Sequence, residues 1–170
     1  YQRAGLYPMT LPFVGGNEGA GVVKAVGPGV TDVKVGDRVC YQGQAGAYAR
    51  ERLVAVEKLI PIPEGISDEI AAAVTLKGLT AFYLLFKTWE VEKGQTLLWH
   101  AAAGGTGQIA TQWAKALGAT VIGTAGGPEK VALAKAHGCD HAIDYKTEDF
   151  AARVREITGG RGVDVVYDGV

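Results

Sequence analysis

The residues with the clearest chemical purpose are the glycines near the end of residues 97–107, where an apolar run meets a helical pattern. Gly104 and Gly107 fill the second and third positions of the G-x-G-x-x-G fingerprint, and Ala102 fills the first. In that fingerprint one glycine lets the backbone approach a pyrophosphate, and another lets helix and strand pack closely. A helix that begins there presents N–H groups to a phosphate. The pattern predicts a dinucleotide site, although glycines that only shape a tight turn would give the same letters.

The residues after the next β-like run indicate which dinucleotide. An NAD site carries an acidic residue about 20 residues past the fingerprint, but no Asp or Glu occurs between Glu92 and Glu129. The run ends instead in small residues up to Gly127, and Lys130 follows. Small residues leave room for a 2′-phosphate and a lysine gives it a positive partner. These two features predict NADPH, although Lys130 taken alone would be an ordinary solvated lysine.

Alternating strands and helices must position these residues. From Gln95 onward the pattern predicts strands around residues 97–99, 120–124, 141–145 and 163–167, and helices around residues 108–117, 128–137 and 147–157. Four strands alternating with three helices predict a right-handed, doubly wound parallel sheet whose order 3-2-1-4-5-6 is cut after its fourth strand. Phe150, Val154 and Ile157 are expected to form the buried stripe of the last helix.

The first part of the chain has a different pattern. Short β-type runs at residues 21–26, 39–41, 47–53 and 58–62, separated by glycine turns, predict a small, partly closed β-barrel or sandwich. Ser67 then caps a mostly helical connector. Leu76, Leu79 and Leu84 of the connector are expected in the core, with Tyr83 on or beside the apolar face.

Composition argues against several classes of protein. A net charge of -1 with mixed signs gives no footprint for nucleic acid. Lys77 interrupts the best apolar stretch, residues 70–86, so no membrane span is expected. Cys40 and Cys139 lie far apart, which favours a reducing compartment and hence the cytoplasm. Because the chain begins with Tyr1 and ends just after a predicted strand, we interpret it as an internal piece of a longer protein.

Other potentially reactive residues form no recognisable site. Cys139, Asp140 and His141 are consecutive in a predicted helix-to-strand turn, so their side chains are not expected to converge on a metal ion. His100 is expected to pack at a strand end, and His137 to lie at a helix C-terminus, where a cation is favoured. Without a G-x-S-x-G elbow, acyl transfer has no support.

Several motifs resemble those of one enzyme superfamily. Residues 16–21, Gly-Asn-Glu-Gly-Ala-Gly, with Gly27 and Val30 behind them, resemble the Gly-His-Glu signature of the medium-chain dehydrogenase/reductases. Residues 36–39, 101–107 and 157–162 are similar to the zinc-free quinone oxidoreductase branch, which includes zeta-crystallin. The resemblance covers essentially the whole chain.

The resemblance implies an α/β fold, a partial doubly wound parallel (Rossmann) sheet preceded by part of a GroES-like β-barrel domain. Residues 1–75 are then expected to be the GroES-like substrate domain, truncated at its N-terminus. Residues 76–170 are expected to be the NADP-binding Rossmann domain with the connector helix, truncated at its C-terminus.

The resemblance also implies that no metal takes part. In the zinc alcohol dehydrogenases of the superfamily the signature histidine ligates the catalytic zinc, and this chain has Asn17 there. With two cysteines in all, the four-cysteine structural site cannot be built either. We therefore expect no zinc.

By the same resemblance, the expected activity is hydride transfer from NADPH to a quinone. No catalytic residue is assigned, and Tyr1 and Tyr7 are candidates for the substrate cleft. Tyr145 is expected either along the adenosine end of the cofactor or in plain hydrophobic packing. The implied cofactor contacts are Thr80, Tyr83, Gly104, Gly105, Thr106, Gly107, Gly126, Lys130 and Tyr145.

Two alternatives stay open. The same scaffold reduces activated alkenes such as enones or enoyl thioesters, and it also occurs as an NADPH-binding protein with little turnover. The resemblance further implies a small-molecule quinone substrate and a homodimer of the full-length protein. Because the family's last strands lie outside the 170 residues, we expect the isolated chain to be weakly active or inactive.

Overall fold

The computed structural model describes residues 5–43 and 45–169. The chain divides into two compact units, Tyr1–Leu76 and Lys77–Val170. The first contains a three-stranded antiparallel sheet and the second a four-stranded parallel sheet with helices. The predicted fold class, a small antiparallel part followed by a parallel α/β part, is confirmed.

The antiparallel sheet of the first unit has the order β1-β2-β3. In its register Ala20 lies opposite Cys40, and Cys40 lies opposite Ile60. Cys40 also packs with Ile62 and Ala71 in a small buried cluster. The strands are β1 (Glu18–Val22), β2 (Arg38–Gln42) and β3 (Leu59–Pro61).

The prediction of a strand at residues 47–53 is wrong. The N–H groups of Ala47 and Tyr48 donate to the carbonyls of Gly16 and Gly15, at 3.0 and 2.9 Å, so their backbone partners belong to a loop. Leu53 is 98% exposed, which leaves the end of the segment without an apolar surface to pack on. A segment with β-type residues forms a strand only where one of its faces packs against other parts of the protein.

The connector forms helix α1 (Asp68–Tyr83), which continues into one π-helical turn, Leu84–Thr88. The Ser67 hydroxyl accepts from the N–H of Ile70 at 3.2 Å, as its capping role predicts. Leu76 and Leu79 are exposed, so their predicted place in the core is wrong, whereas Leu84 packs against the main buried cluster as predicted. The buried positions of this helical stretch are Ala71, Thr75, Ala81 and Leu85.

Among residues 5–43 and 45–169, one helical stretch, Asp68–Thr88, is long and apolar enough to cross a membrane by length and composition alone, with a mean hydropathy of 1.5 over its best window. The stretch meets this criterion in spite of Lys77. The expectation that Lys77 makes it too polar is therefore wrong as far as composition is concerned. A single helix of this kind is weak evidence of a span, because the core helix of a globular protein meets the same criterion.

In the second unit strands and helices alternate along the chain, and the parallel sheet has the order β6-β5-β4-β7. Numbered from the first strand of the unit, this is the predicted doubly wound order 3-2-1-4, which is confirmed. The strands are β4 (Thr96–Trp99), β5 (Thr120–Ala125), β6 (His141–Asp144) and β7 (Val165–Tyr167); the helices are α2 (Gly105–Ala116), α3 (Pro128–Ala136) and α4 (Phe150–Ile157).

Both faces of the parallel sheet are covered, as the βαβ connections require. Leu97 and Val121 pack on one face, and Leu98 and Ile122 on the other, since successive side chains point to opposite sides. Val154 of α4 is buried in the second cluster and Ile157 packs against it.

The predicted place of Phe150 in the buried stripe of α4 is wrong, because that side chain is 38% exposed. It is the first residue of α4, after the N-cap Asp149. There its ring lies edge-on against His100, with ring centroids 5.0 Å apart, rather than under the helix.

Candidate functional site

The turn between β4 and α2 is closed too tightly for side chains at its last glycine. A Cβ at Gly107 would lie 2.6 Å from the carbonyl oxygens of both Ala101 and Ala102, so helix and strand could not approach this closely with any other residue. The N–H of Gly104 donates to the carbonyl of Ala101 at 2.8 Å. The close packing assigned to Gly107 from the sequence agrees with this geometry.

Ala102 fits the first fingerprint position because its neighbour on β5 is Gly123. Ala102 is fully buried, and its N–H donates to the carbonyl of Thr124 at 2.9 Å. A Cβ at Gly123 would lie 2.6 Å from the Cβ of Ala102, so the space normally left by the first glycine is supplied from the facing strand. The departure from the fingerprint is therefore compensated locally.

No side chain caps the N-terminus of α2, so its first backbone N–H groups remain available to a ligand. Gly104 is the N-cap and supplies no side-chain hydrogen bond, and the first turn, which includes Gly105 and Thr106, contains no acidic residue. Unsatisfied N–H groups at a helix start carry partial positive charge and favour an anion. The stem of Lys77 lies close by, since a Cβ at Gly105 would be 2.9 Å from its Cδ.

A cavity of about 550 Å³, the first cavity, opens at the carboxyl ends of β4 and β5, where open α/β sheets bind their ligands. It brings together Gly104, Gly126, Lys130 and Tyr145, four of the residues predicted from the sequence. Tyr145 is 53% exposed, so the alternative that it packs in the core is wrong.

A second cavity of about 580 Å³ adjoins the first, because His100, Ala101, Gly104 and Asp168 line both. The predicted residues that line the second cavity are Thr80, Tyr83, Gly104, Gly105, Thr106 and Gly107. Each of the nine predicted cofactor contacts therefore lines one cavity or the other. The substrate-cleft candidates are not among them: Tyr7 is an exposed residue of the first unit, and Tyr1 lies outside the described residues.

His100 stands at the end of β4, where it lines both cavities. Its Nδ1 lies 2.9 Å from the Thr124 hydroxyl, and the ring of Phe150 lies against it. These contacts hold the imidazole in place, in agreement with its predicted packing role. The contribution of Phe150 to the cavity wall could not be inferred from the sequence, because a helix periodicity places that residue inward.

Asp144 is a functional candidate that the sequence reasoning missed. Its Oδ1 accepts from the N–H of Gly127 at 2.9 Å and from the N–H of Lys146 at 3.0 Å. These two hydrogen bonds hold the pKa of the Asp144 carboxyl below its usual range. The spacing rule for the fingerprint places the acidic residue at the end of the next strand, β5, whereas Asp144 ends the strand after that, β6.

Two family models match the chain, one after the other. The alcohol dehydrogenase GroES-like domain matches residues 1–93, and the zinc-binding dehydrogenase model matches residues 105–170. The chain belongs to the alcohol dehydrogenase GroES-like domain family. The GroES-like assignment of the first part, expected from the motifs, is thereby confirmed.

Individual relatives give a finer likeness. The chain is 55% identical to a quinone oxidoreductase of Pseudomonas aeruginosa and 52% identical to a 2-haloacrylate reductase of a Burkholderia species, and in each case 100% of this chain matches 53% of the relative. Among solved structures it resembles the quinone oxidoreductase of Escherichia coli complexed with NADPH, with a TM-score of 0.96 and 50% identity over 100% of this chain and 53% of that one. The resemblance to the quinone oxidoreductases of the medium-chain superfamily is confirmed. The chain spans about half the length of these relatives.

The zinc named in one family description does not fit the donors of this chain. Across residues 5–43 and 45–169, no group of three or more His, Cys, Asp or Glu side chains could hold a metal ion. Burial raises the pKa of the Cys139 thiol to about 11, which keeps it protonated and a poor zinc ligand. The Asp140 carboxylate next to it binds Lys115 and the N–H of Val121. No chemical step is therefore assigned to zinc.

Proposed function

We propose that the intact protein is an NADPH-dependent quinone reductase that transfers a hydride to a quinone without a metal ion. The observation that carries this proposal is the pair of adjoining cavities around the Gly104–Gly107 turn, at the carboxyl edge of the parallel sheet. The quinone oxidoreductase relatives support the reaction, and the Escherichia coli structure complexed with NADPH supports the cofactor.

In this proposal the first cavity holds the adenosine end of NADPH. Gly126 leaves room beside the ribose, and Lys130 and Tyr145 supply a positive charge and a hydroxyl for the 2′-phosphate. The second strand of the sheet, β5, ends without the acidic residue that would repel this phosphate.

The N-terminus of α2 holds the pyrophosphate, through the N–H groups of Gly105, Thr106 and Gly107. Beyond it, Thr80 and Tyr83 face the nicotinamide end from α1, since both line the second cavity. Trp99 and Tyr167 lie against one another at 4.7 Å between ring centroids and form a rigid part of the same wall. In this proposal the residues predicted from the sequence would contact NADPH along its whole length.

When bound, NADPH supplies the hydride. The protein's part is to hold donor and acceptor together in a fixed orientation. A quinone that accepts a hydride becomes a stabilised phenolate-type anion, so it needs less electrophilic assistance than a simple ketone. We assign no catalytic residue, and Tyr1 and Tyr7 remain the candidates for lining the quinone cleft.

The proposal extends to the organisation of the intact protein. Residues 1–75 would bind the substrate and residues 76–170 the cofactor, which the division into compact units after Leu76 supports. The family resemblance supports a homodimer. Two free, buried cysteines, Cys40 and Cys139, are what a cytoplasmic enzyme would carry.

A second candidate function is reduction of an activated alkene. The 52% identical relative named 2-haloacrylate reductase supports it, because its named substrate class carries a carbon–carbon double bond conjugated to a carboxylate. Quinones and activated alkenes both accept a hydride at a carbon or oxygen conjugated with a carbonyl group, so one cofactor site serves either reaction.

The decisive experiment mixes the intact protein with NADPH and measures the loss of NADPH absorbance after one hydride acceptor is added. The acceptors, tested separately, are a simple benzoquinone, a cyclic enone and 2-chloroacrylate. Rapid oxidation with the quinone supports the proposal. Oxidation with an alkene but not with the quinone would favour the second candidate. Tight NADPH binding without oxidation by any of the three would indicate an NADPH-binding protein with little turnover.

A further inference from the structure

The turn that follows β6 is tied to the loop that follows β5. The carboxylate of Asp144 accepts from the N–H of Gly127 in one segment and from the N–H of Lys146 in the other. Glu148 completes the turn, because its Oε1 accepts from the N–H of Asp144 at 3.0 Å. The position of the Lys146 backbone is therefore fixed relative to the wall of the first cavity.

Two side chains of this turn lie over Gly126. A Cβ at Gly126 would be 2.5 Å from the Tyr145 hydroxyl oxygen and 3.2 Å from Cε of Lys146. Cε of Lys146 therefore lies next to Gly126, a residue that lines the first cavity together with Lys130 and Tyr145. Tyr145 and Lys146 of this turn thus lie beside Gly126, and Lys130 lines the same cavity from α3.

Lys130 and Lys146 differ in their contacts from three other lysines of the chain. Lys24, Lys34 and Lys115 each pair with a carboxylate. Within the part of the chain that the structure describes, the side chains of Lys130 and Lys146 make no such ion pair. Two lysines without a salt bridge on the walls of one cavity can bind a doubly charged anion together.

We propose that Lys146 is a second cation for the 2′-phosphate of NADPH and that Asp144 is the residue that positions it. This inference rests on the proposed cofactor site and adds to it a residue for which the fingerprint gives no signal. The Lys146 ammonium contacts the phosphate from the side of β6 while Lys130 contacts it from α3. The Asp144 carboxylate does not itself bind the phosphate, because it is an anion without a proton to donate; its Oδ1 accepts from two backbone N–H groups instead.

The test is a set of dissociation constants measured on the intact protein by titration, with NADPH, NADH and adenosine 2′-monophosphate as ligands. Lys146→Met keeps most of the side-chain stem and removes the charge, and Lys146→Arg keeps the charge. Lys135→Met, at the other end of α3, is the matched control. We expect Lys146→Met to weaken NADPH and adenosine 2′-monophosphate about fivefold and to leave NADH unchanged. Lys146→Arg should bind like the wild type.

The outcomes separate this inference from the proposed function. If the wild type prefers NADPH and Lys130→Ala lowers that preference, but Lys146→Met behaves like Lys135→Met, the role of Lys146 is overturned while the cofactor site stands. If the wild type binds NADPH no better than NADH, the NADPH assignment fails and the inference fails with it.

The positioning role of Asp144 is tested by two substitutions in the same titrations. Asp144→Asn keeps an oxygen that accepts the two N–H groups, whereas Asp144→Ala removes it. We expect Asn to keep the preference for NADPH over NADH and Ala to lower it, with thermal unfolding recorded to show that both variants are folded. Equal preferences in the folded Asn and Ala variants would contradict the positioning role.

Discussion

The Cβ of Ala102, in the turn after β4, lies directly against the Cα of Gly123 in β5, since a Cβ at residue 123 would lie 2.6 Å from that of Ala102. Gly123 therefore leaves the space that the Ala102 methyl group fills. A search for three glycines in one segment misses this arrangement, because the glycine that makes room lies on the neighbouring strand.

Replacing Gly123 by alanine is therefore expected to destabilise the second unit. The added methyl group would meet Ala102 and also the Cys139 sulfur, which lies 2.6 Å from the same position. Overpacking of this kind costs about 1–3 kcal/mol. Chemical denaturation of Gly123→Ala checks it, with Gly78→Ala as the control because a Cβ there meets nothing within 4 Å. Combining Gly123→Ala with Ala102→Gly should recover part of the loss, and equal stability of Gly123→Ala and wild type would contradict the account.

Gly126→Ala is expected to affect binding more than stability. The new Cβ would meet the Tyr145 hydroxyl and Cε of Lys146, the far ends of exposed side chains that can move into solvent. Moving them away from the cavity should weaken NADPH binding about tenfold, with little change in the denaturation midpoint. Titration and denaturation of the same preparation measure both quantities. A variant that unfolds more readily but binds NADPH normally would show that these contacts are structural.

Cys139 is expected to resist alkylation in the folded protein. Burial raises the pKa of its thiol to about 11, so almost none of it is thiolate near the ordinary cysteine pKa of about 8.5. The Cys139 thiol ionises at a lower pH in the unfolded chain than in the folded protein. The free energy of unfolding is therefore expected to fall as the pH rises from 9.0 to about 11. Mass spectrometry after iodoacetamide treatment, with the denatured protein as control, measures how far Cys139 resists alkylation. Rapid native labelling of Cys139 would contradict it.

The 170-residue chain alone is expected to reduce quinone at least about tenfold more slowly than the intact protein. The second cavity is bordered by Val165, Val166, Tyr167, Asp168 and Gly169, close to the last described residue. The relatives are about twice as long as this chain. Turnover of the two forms, compared at equal NADPH saturation, measures the difference, and equal rates would show that the 170 residues hold the complete site.

The sequence predicted those parts of the structure that local chemistry determines. The β4–α2–β5 unit, the strand order and the nine cavity residues follow from periodicity, glycine spacing and family motifs. The exposure of Leu76 and Leu79 did not follow, since it depends on which face of α1 other elements cover. The loop at residues 47–53 and the place of Phe150 are likewise decided by tertiary partners. The role of Asp144 was not predicted because one of its partners, Gly127, lies in a different βα segment, and no spacing rule links the two residues.

The measurement that tests the central claim most directly is a parallel titration of the intact protein with NADPH and NADH, with Lys130→Ala beside the wild type. The account predicts that the wild type binds NADPH at least about tenfold more tightly than NADH and that Lys130→Ala loses most of this preference. Equal binding of the two cofactors by the wild type, or an unchanged preference in Lys130→Ala, would contradict the assignment of the first cavity to the 2′-phosphate end of NADPH.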